Sequence, residues 1–324
     1  MTTQNKQSSI KLLLMGRRDA GKTSMHSIIF ANLPAQAATN TPWTRDVDEQ
    51  QIKFLGMNLQ INDCGGQELL WDAYFNSYPE KIFSGVRVLI YVFDLTVLDE
   101  ASLKQFNKAV DFLYKYSPEA KVFVLVHKMD MAQNKDLAFA DAKAEINKCE
   151  NAKNVVGFFP TSIWDVSLYQ AWSQIVQIII PDLGIVNQRL QTFCETTEVD
   201  EIILFEKSTF LIISWCKLKK EGKDLKKDDD SRKNILKYER ISTIMKQFKI
   251  SCNKVGSEIS MLSIQNPTFK AVIDEFTCNT FILLVTLNPH IKCPALHFNI
   301  KCARAFFKND DATQEVNNLL SLGL

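Results

Sequence analysis

Eight residues close to the start of the chain could bind a phosphate group. Residues 16–23 read GRRDAGKT and fit the pattern G-x-x-x-x-G-K-[ST], between an apolar stretch (10–15) and a helix-like one (23–30). In such a loop the backbone N–H groups and the helix N-terminus face the anion, the lysine reaches the β- and γ-phosphates, and the hydroxyl binds Mg²⁺. The predicted contacts to the nucleotide are Arg18, Asp19, Gly21, Lys22, Thr23 and Ser24.

A second short motif begins 40 positions after Thr23. Asp63 directly follows a strand-like stretch and is succeeded by Cys64-Gly65-Gly66-Gln67. A carboxylate there can hold Mg²⁺, the N–H of Gly66 can meet the γ-phosphate, and Gln67 can orient the attacking water. As an isolated string D-x-x-G also fits a plain turn, but its place after the phosphate loop favours catalysis. We predict Asp63 as a metal ligand and Gln67 as the catalytic residue.

The polar segment between the two motifs, residues 34–49, contains three threonines, Thr39, Thr41 and Thr44. A threonine there can supply a second Mg²⁺ ligand, so that the loop orders around the γ-phosphate and relaxes when that group leaves. We choose Thr44 because Asp46-Val47-Asp48 and a strand follow it. The alternative is an ordinary connecting loop, in which threonine is common.

A third motif, His127-Lys128-Met129-Asp130, follows a strongly apolar strand. Asp130 can accept both N–H groups on one edge of guanine, a pattern that adenine does not offer, so the predicted base is guanine. Lys128 would cover the base. His127 is either a ligand contact or a satisfied histidine at a strand end. Further along, the backbone N–H groups of Ser162 and Ile163 could meet the guanine carbonyl.

The elements that must position these motifs alternate between strand-like and helix-like stretches, which predicts a parallel sheet with helices on its faces. Asp165 is a plausible N-cap for the last helix of this region, which Pro181 ends. The predicted strands are residues 10–15, 51–55, 59–63, 86–93, 121–127 and 155–160.

The pattern changes after Pro181. The order helix, two strands, helix, three strands, helix predicts a second, α+β domain. The predicted helices are 183–196, 234–248 and 301–308, and the strands are 201–206, 209–217, 258–264, 269–276 and 281–287. The charged stretch 219–233 is predicted to be a flexible loop, and residues 309–324 a tail. The predicted domains are thus 9–181 and 183–308.

Composition excludes several function classes. The 324 residues are 46% hydrophobic, enough for two packed domains, and the net charge of +1 gives no reason to expect nucleic-acid binding. The eight cysteines are scattered without C-x-x-C pairs, which indicates reduced thiols in a cytoplasmic protein. No apolar run approaches the ~20 residues of a membrane span, so direct membrane insertion is not expected.

Together these residues resemble a small GTPase of the Ras-like class, and more closely the A/B type of the Rag family. The segments KLLLMG, DCGGQ, LIYVFD, HKMD and TSIWD are similar to that family's own motifs. Most small GTPases have asparagine in place of His127, whereas the A/B-type Rags have this histidine. The similarity is dense over residues 11–180 and thinner over 199–206 and 244–249, which resemble the family's C-terminal roadblock domain.

This resemblance implies a Ras-like P-loop GTPase domain on a mostly parallel six-stranded sheet, followed by a roadblock-type domain. It implies a switch that binds GTP or GDP with Mg²⁺, acts when it is loaded with GTP, and hydrolyses GTP when an activating protein promotes the reaction. It also implies a heterodimer with a C/D-type Rag, formed through the C-terminal domain. A membrane-anchored scaffold would recruit the protein to the lysosomal or vacuolar surface. There it would report amino-acid sufficiency to the target-of-rapamycin complex.

Two departures from the family pattern leave rival interpretations open. Arg18 and Asp19 stand where the A/B type has small residues, which predicts slow intrinsic turnover with altered activator dependence. They also favour a pseudo-GTPase scaffold whose nucleotide is structural, although Gln67 argues against it. A monomeric trafficking GTPase of the Arf or Rab kind conflicts with the large C-terminal domain. The segment 40–45 differs from the family too, so effector recognition is expected to differ.

The apolar cluster after Gln67 is ambiguous. It comprises Leu69, Leu70, Trp71, Tyr74 and Phe75. A helix with so many large apolar groups must bury part of them, and the remainder could form an effector surface.

Overall fold

The computed structural model describes residues 10–39, 44, 46–55, 57–180, 183–218, 227–257 and 260–308, apart from the side chains of residues 57, 227–239, 253, 305, 306 and 308. The chain forms two compact units. Among the described residues, the first contains those up to 171 except 54 and 55, and the second contains 54, 55 and those from 172 onward. Because the division falls inside the helix Ser167–Ile179, the domain limits at 181 and 183 stay a prediction.

The first unit is built on a six-stranded sheet, which confirms the predicted α/β class. Its strands are β1 (Ile10–Gly16), β2 (Val47–Phe54), β3 (Met57–Cys64), β4 (Val86–Asp94), β5 (Lys121–His127) and β6 (Val155–Pro160). They lie in the order β2-β3-β1-β4-β5-β6, and the pairs β1–β3, β1–β4, β4–β5 and β5–β6 are parallel. The carboxyl ends of the parallel strands therefore meet at one edge, where ligands bind in such sheets.

The helices of this unit follow from local signals in the sequence. Asp99 caps the longest of them, α5, by accepting a hydrogen bond from the Ser102 N–H (2.8 Å). Asn134 caps α6 in the same way through the Leu137 N–H (3.1 Å). The helices are α1 (Lys22–Phe30), α2 (Ala35–Ala38), α3 (Glu68–Asp72), α4 (Pro79–Phe83), α5 (Glu100–Tyr116), α6 (Lys135–Ile146) and α7 (Ser167–Ile179).

The core of this unit lies around the central strands β4 and β5, which are buried along nearly their whole length. The ambiguous cluster after Gln67 divides residue by residue. Trp71, Tyr74 and Phe75 belong to the core, Leu70 packs partly against it, and Leu69 is 85% exposed. Of the cluster, Leu69 therefore remains the candidate for an effector surface.

The second unit has an antiparallel sheet of five strands, which fits the predicted roadblock-type domain. The strand order is β8-β7-β11-β10-β9. The strands are β7 (Glu201–Glu206), β8 (Ile212–Lys217), β9 (Met261–Gln265), β10 (Lys270–Thr277) and β11 (Thr280–Thr286), and the helices are α8 (Leu183–Thr197), α9 (Lys227–Lys254) and α10 (Cys293–Lys308). No helix in the described part of the chain is both long and apolar enough to cross a membrane.

Three boundaries correct the sequence prediction. Residues 227–233 of the predicted flexible loop form the first turns of α9, because three successive aspartates favour a helix N-terminus; residues 219–226 lie outside the described residues. Helix α10 begins at Cys293 rather than at residue 301, since Pro294 in its first turn is tolerated there. Strand β2 begins at Val47 rather than at 51, because an edge strand carries polar residues.

Candidate functional site

The loop between β1 and α1 has the geometry of a phosphate cradle. Gly21 caps α1 in a left-handed conformation (φ 89°), and Asp19 also has a positive φ of 62°. Lys22 is buried, and its ammonium donates to the carbonyls of Gly16 and Arg17 (both 2.8 Å). Burial lowers the pKa of Lys22, so the group gains from any anion brought beside it.

Two glycines are required by close backbone approach. A Cβ on Gly16 would lie 2.2 Å from the Val92 carbonyl oxygen, and one on Gly66 would lie 2.1 Å from the Arg18 nitrogen. The Arg18 N–H also donates to the Gly66 carbonyl (3.0 Å). The phosphate loop and the D-x-x-G segment are therefore in direct contact, at a distance that only glycine permits.

Three oxygen-bearing side chains converge beside the loop. The Thr23 hydroxyl donates to Asp63 Oδ2 (2.5 Å) and lies 2.8 Å from the Thr44 hydroxyl, which is 3.4 Å from the same carboxylate oxygen. Burial raises the pKa of Asp63, although the bond from Thr23 and the charge of Lys22 oppose the shift. Asp63 Oδ1 is buried without a hydrogen-bond partner among the described residues. Hydroxyl and carboxylate oxygens are the donors that Mg²⁺ prefers, so this set fits the ion.

Gln67 lies next to this cluster. Its Nε2 donates to the Thr44 carbonyl (2.9 Å), while its Oε1 is buried with no hydrogen-bond partner in the described part of the chain. The neighbouring Gly65 N–H donates to the Asp46 carbonyl (2.8 Å). The glutamine is thus held by one end of its amide, and its carbonyl is available to a polar ligand such as water.

Of these groups Lys22, Thr23, Thr44 and Gln67 line one cavity of about 330 Å³, and Asp63 lies behind Thr23, to whose hydroxyl it is bonded. The cavity walls contain nine predicted site residues, and Thr39 and Gly65, which we did not choose. Ser24 reaches this wall while its hydroxyl donates to the Ala38 carbonyl (3.0 Å). The lining residues are Arg18, Asp19, Gly21, Lys22, Thr23, Ser24, Thr39, Thr44, Gly65, Gly66 and Gln67.

His127 joins the base motif to the phosphate loop. Its Nδ1 lies 2.9 Å from the Thr161 hydroxyl, and a Cβ on Gly21 would lie 2.7 Å from its ring. Burial lowers the pKa of His127 to about 4, so the imidazole is neutral at physiological pH. In this position the histidine packs between the two loops.

Lys128 and Asp130 follow directly. Lys128 has a left-handed conformation (φ 63°), and its ammonium donates to Asp94 Oδ2 (2.7 Å). Burial alone would raise the pKa of Asp94, but hydrogen bonds from Lys128 and Thr96 outweigh it and lower the pKa. Asp130 is exposed and accepts a hydrogen bond from the Ser162 hydroxyl (2.6 Å). The second oxygen of this carboxylate faces no described donor at hydrogen-bonding distance.

The backbone N–H groups of the last predicted segment are largely occupied. The Thr161 N–H donates to Val126 O (2.9 Å), that of Ser162 to the Ser167 hydroxyl (2.9 Å), and that of Trp164 to the Ser162 hydroxyl (3.1 Å). Within the described residues the Ile163 N–H alone of these four makes no hydrogen bond. Ile163 therefore keeps its predicted contact, whereas Ser162 would act through its hydroxyl on Asp130.

Comparison with known proteins identifies the family. The family described as "Gtr1/RagA G protein conserved region" matches residues 11–245. Ras-related GTP-binding protein A of Dictyostelium discoideum is 39% identical over 303 residues, which cover 92% of this chain and 96% of that protein. GTP-binding protein GTR1 of Saccharomyces cerevisiae is 39% identical over 319 residues (95% and 100%).

A paralogue from the same yeast is less similar. GTP-binding protein GTR2 is 26% identical over 222 residues, which cover 66% of this chain and 64% of that protein. The chain is thus more similar to GTR1 (39% identical) than to GTR2 (26% identical). The chain therefore belongs to the Gtr1/RagA family, the A/B type of the Rag GTPases.

Proposed function

We propose that this protein is a guanine-nucleotide switch that binds GTP or GDP with Mg²⁺ and hydrolyses GTP to GDP. One observation carries the proposal: Thr23, Thr44 and Asp63 meet within 2.5 to 3.4 Å of one another, and Gln67 is bonded to the same Thr44. These residues come from a helix, a connecting segment and a strand end that are distant in sequence. Their convergence beside a buried lysine is what phosphoryl transfer to water requires.

At the phosphate end each residue has a separate task. Lys22 would keep two N–H donors on the Gly16 and Arg17 carbonyls and give the third to the β- and γ-phosphates, and the Gly66 N–H would meet the γ-phosphate. Gln67 would hold the attacking water through Oε1 while its Nε2 stays on the Thr44 carbonyl. Thr23, Thr44 and Asp63 would hold Mg²⁺, which would neutralise the charge that develops on the phosphates.

The same contacts explain how hydrolysis would switch the protein. Thr44 bonds to Thr23 and Asp63 through its hydroxyl and to Gln67 through its carbonyl, so it ties the connecting segment to both catalytic motifs. Loss of the γ-phosphate would remove a ligand shared by these groups. Release of Thr44 from these groups would then be the change that partner proteins detect.

Calorimetry and single-turnover hydrolysis test the two halves of this proposal. With Mg²⁺ present, the chain is expected to bind GTP and GDP and not ATP, and absence of heat with both guanine nucleotides would overturn the binding. Gln67→Leu is expected to keep GDP affinity and to slow hydrolysis by at least about 10²-fold, since it removes the water-orienting carbonyl. The matched control is Gln133→Leu, an exposed glutamine that does not line the cavity.

A second candidate is a scaffold subunit whose nucleotide is structural. Arg18 and Asp19 favour it, because both line the cavity and their side chains form an exposed ion pair (3.4 Å) beside the predicted γ-phosphate position. A chain that binds GTP yet releases no phosphate, alone or with an activating protein, would decide for this alternative.

The proposed heterodimer with a C/D-type Rag is supported by an apolar surface of the second unit, which we call the α9–β9 surface. Five large apolar side chains there are more than 40% exposed: Ile244, Phe248, Val255, Met261 and Ile264. Strand β9 is also the edge of its sheet, and four of its five residues are exposed. Exposed apolar side chains on a helix and an open sheet edge are both features that another domain can cover.

Phe248→Asp tests this surface. Because a central aromatic residue contributes about 2 kcal/mol or more at an interface, we expect about 30-fold weaker binding to a C/D-type Rag in sedimentation experiments. The control is Phe298→Asp, which introduces the same charge on a more exposed phenylalanine of α10. Equal losses for both variants would contradict the assignment.

The remaining part of the proposal is nutrient signalling. Family membership supports a role in which a membrane-anchored scaffold recruits the heterodimer to the lysosomal or vacuolar surface and the GTP form reports amino-acid sufficiency to the target-of-rapamycin complex. Expression in cells that lack their own A/B-type subunit tests it: restored kinase signalling on amino-acid addition is expected, and none with Lys22→Ala. Restoration by both would contradict nucleotide dependence.

A further inference from the structure

One side chain of the phosphate loop contacts a helix that none of the nucleotide motifs includes. Arg17 Nη1 donates to Asp99 Oδ2 (2.6 Å) and lies 3.4 Å from the Ser102 hydroxyl. Asp99 is the N-cap of α5, and its other oxygen accepts from the Ser102 N–H (2.8 Å) and hydroxyl (2.6 Å). Both oxygens of the carboxylate are therefore used, one by the helix and one by the loop.

The anchor on α5 is well fixed. Ser102 is buried, and its carbonyl lies 3.5 Å from the hydroxyl of Tyr91, a fully buried residue of β4. Hydrogen bonds from Ser102, reinforced by Arg17, lower the pKa of Asp99 to about 2, so the carboxylate stays ionised at every pH of interest. The guanidinium of Arg17 is thus held against a rigid part of the first unit.

The backbone carbonyl of Arg17 connects the ion pair with Asp99 to the nucleotide site. The Arg17 carbonyl accepts the Lys22 ammonium (2.8 Å) and the Ala20 N–H (3.3 Å), and a Cβ on Gly66 would lie 2.6 Å from the same oxygen. The position of this one carbonyl therefore sets where the lysine and the γ-phosphate glycine lie.

We propose that Arg17 is a positioning residue, whose ion pair with Asp99 fixes the carbonyl that orients Lys22 in the nucleotide site. The proposal rests on the proposed nucleotide binding and adds to it a contact outside the nucleotide motifs. Without the pair, the phosphate loop would sample orientations in which Lys22 is misplaced, and bound GDP would leave sooner. A partly exposed ion pair is worth up to about 1 kcal/mol, so the expected effect is about two- to fivefold in the dissociation rate.

Asp99→Asn separates this role from simple electrostatics, because the two predict opposite signs. Removing a negative charge close to an anion site should slow nucleotide release, whereas losing the ion pair should accelerate it. Asparagine caps helices as well as aspartate does, so α5 keeps its N-terminus. The matched control is Glu100→Gln, which removes the same charge at the next residue. Glu100 forms an exposed ion pair with Lys104 (2.7 Å) and does not contact Arg17.

The experiment measures release of a fluorescent GDP analogue from the full chain with Mg²⁺. We expect two- to fivefold faster release for Arg17→Ala, for Asp99→Asn and, non-additively, for the double variant, with Glu100→Gln unchanged or slower. Arg17→Lys, which keeps the charge, should recover part of the effect. Because the ion pair is worth at most about 1 kcal/mol, the thermal midpoint without nucleotide should fall by no more than about 4 °C in any variant. Slower or unchanged release for Asp99→Asn, or additive effects, would overturn the proposal, whereas failure of the unmodified chain to bind the analogue would overturn the nucleotide site itself.

Discussion

Replacing one carboxylate oxygen of Asp130 by an NH₂ group, in Asp130→Asn, should change the base selectivity of the nucleotide site. Asp130 accepts the Ser162 hydroxyl on one oxygen (2.6 Å) and leaves the other for a ligand. In Asp130→Asn the amide oxygen can still accept from Ser162 and from the ring N–H of the base. The second oxygen becomes an NH₂ group, which is a donor facing the exocyclic amine of guanine, another donor.

The expected magnitude follows from these contacts. The variant loses one charge-assisted hydrogen bond, worth about 1.5–3 kcal/mol, and sets two donors against each other at a further cost of about 1–3 kcal/mol. GDP affinity should therefore fall by about 2.5–6 kcal/mol, or roughly 10²- to 10⁴-fold. Xanthine has a carbonyl in place of the amine and should accept from the new NH₂ group, so XDP affinity should rise.

Calorimetry with GDP, XDP and ADP in the presence of Mg²⁺ measures this exchange. The control is Asp136→Asn, which changes an exposed aspartate in the first turn of α6 and should alter none of the three affinities. If GDP and XDP affinities fall together, or neither changes, the assignment of Asp130 to the base edge is refuted.

Three further changes have defined outcomes. Arg18→Ser/Asp19→Gly should hydrolyse GTP faster in a single turnover, because bulky charges leave the γ-phosphate position, and equal rates would remove the idea. Gly16→Ala, whose Cβ would lie 2.2 Å from a backbone oxygen at a φ of 144°, should lower the unfolding free energy measured in urea by about 3–5 kcal/mol. The control Gly85→Ala, at a φ of 69° with open space around the Cβ, should lower it by about 1–2 kcal/mol. Equal losses for the two variants would contradict the clash. The pKa of His127 is 6.5 in its ordinary state and about 4 in the folded chain, so between these pH values the unfolded chain binds more protons than the folded one. The unfolding free energy should therefore fall by about 3 kcal/mol as the pH drops through this interval, and His127→Asn should flatten this pH dependence. An unchanged pH dependence in the variant would contradict burial of a neutral imidazole.

Sequence reasoning succeeded where one signal decides the structure. Strands β5 and β6 have the predicted limits. β5 is a buried, continuously apolar run, β6 is an apolar run at the partly exposed edge of the sheet, and a predicted site motif follows each of them. It failed where tertiary context overrides the pattern. The polar start of β2 is paired only because it borders β3, and α9 extends through charged residues that composition alone assigns to a loop.

The candidate site shows the same division. Motif residues such as Lys22 and Gln67 could be chosen because their spacing is fixed by the loops that carry them. Other groups could not be chosen: Asp94 holds Lys128 and Thr161 holds His127, and although both lie in the family-like segments LIYVFD and TSIWD, we predicted no role for either side chain. Their roles depend on which strands are neighbours in the sheet, and this information is in the topology rather than in local spacing.

The open edge of the second sheet also bears on how such a chain must be made. Along β9 the outward backbone groups have no strand partner within the described residues, and two of its four exposed side chains, Met261 and Ile264, are apolar. Until another domain covers this edge, its backbone groups can pair with any extended polypeptide, including a newly synthesised second copy of the same chain. Expression of this subunit alone would therefore be limited by aggregation at high concentration, and co-expression with the proposed C/D-type partner would reduce it.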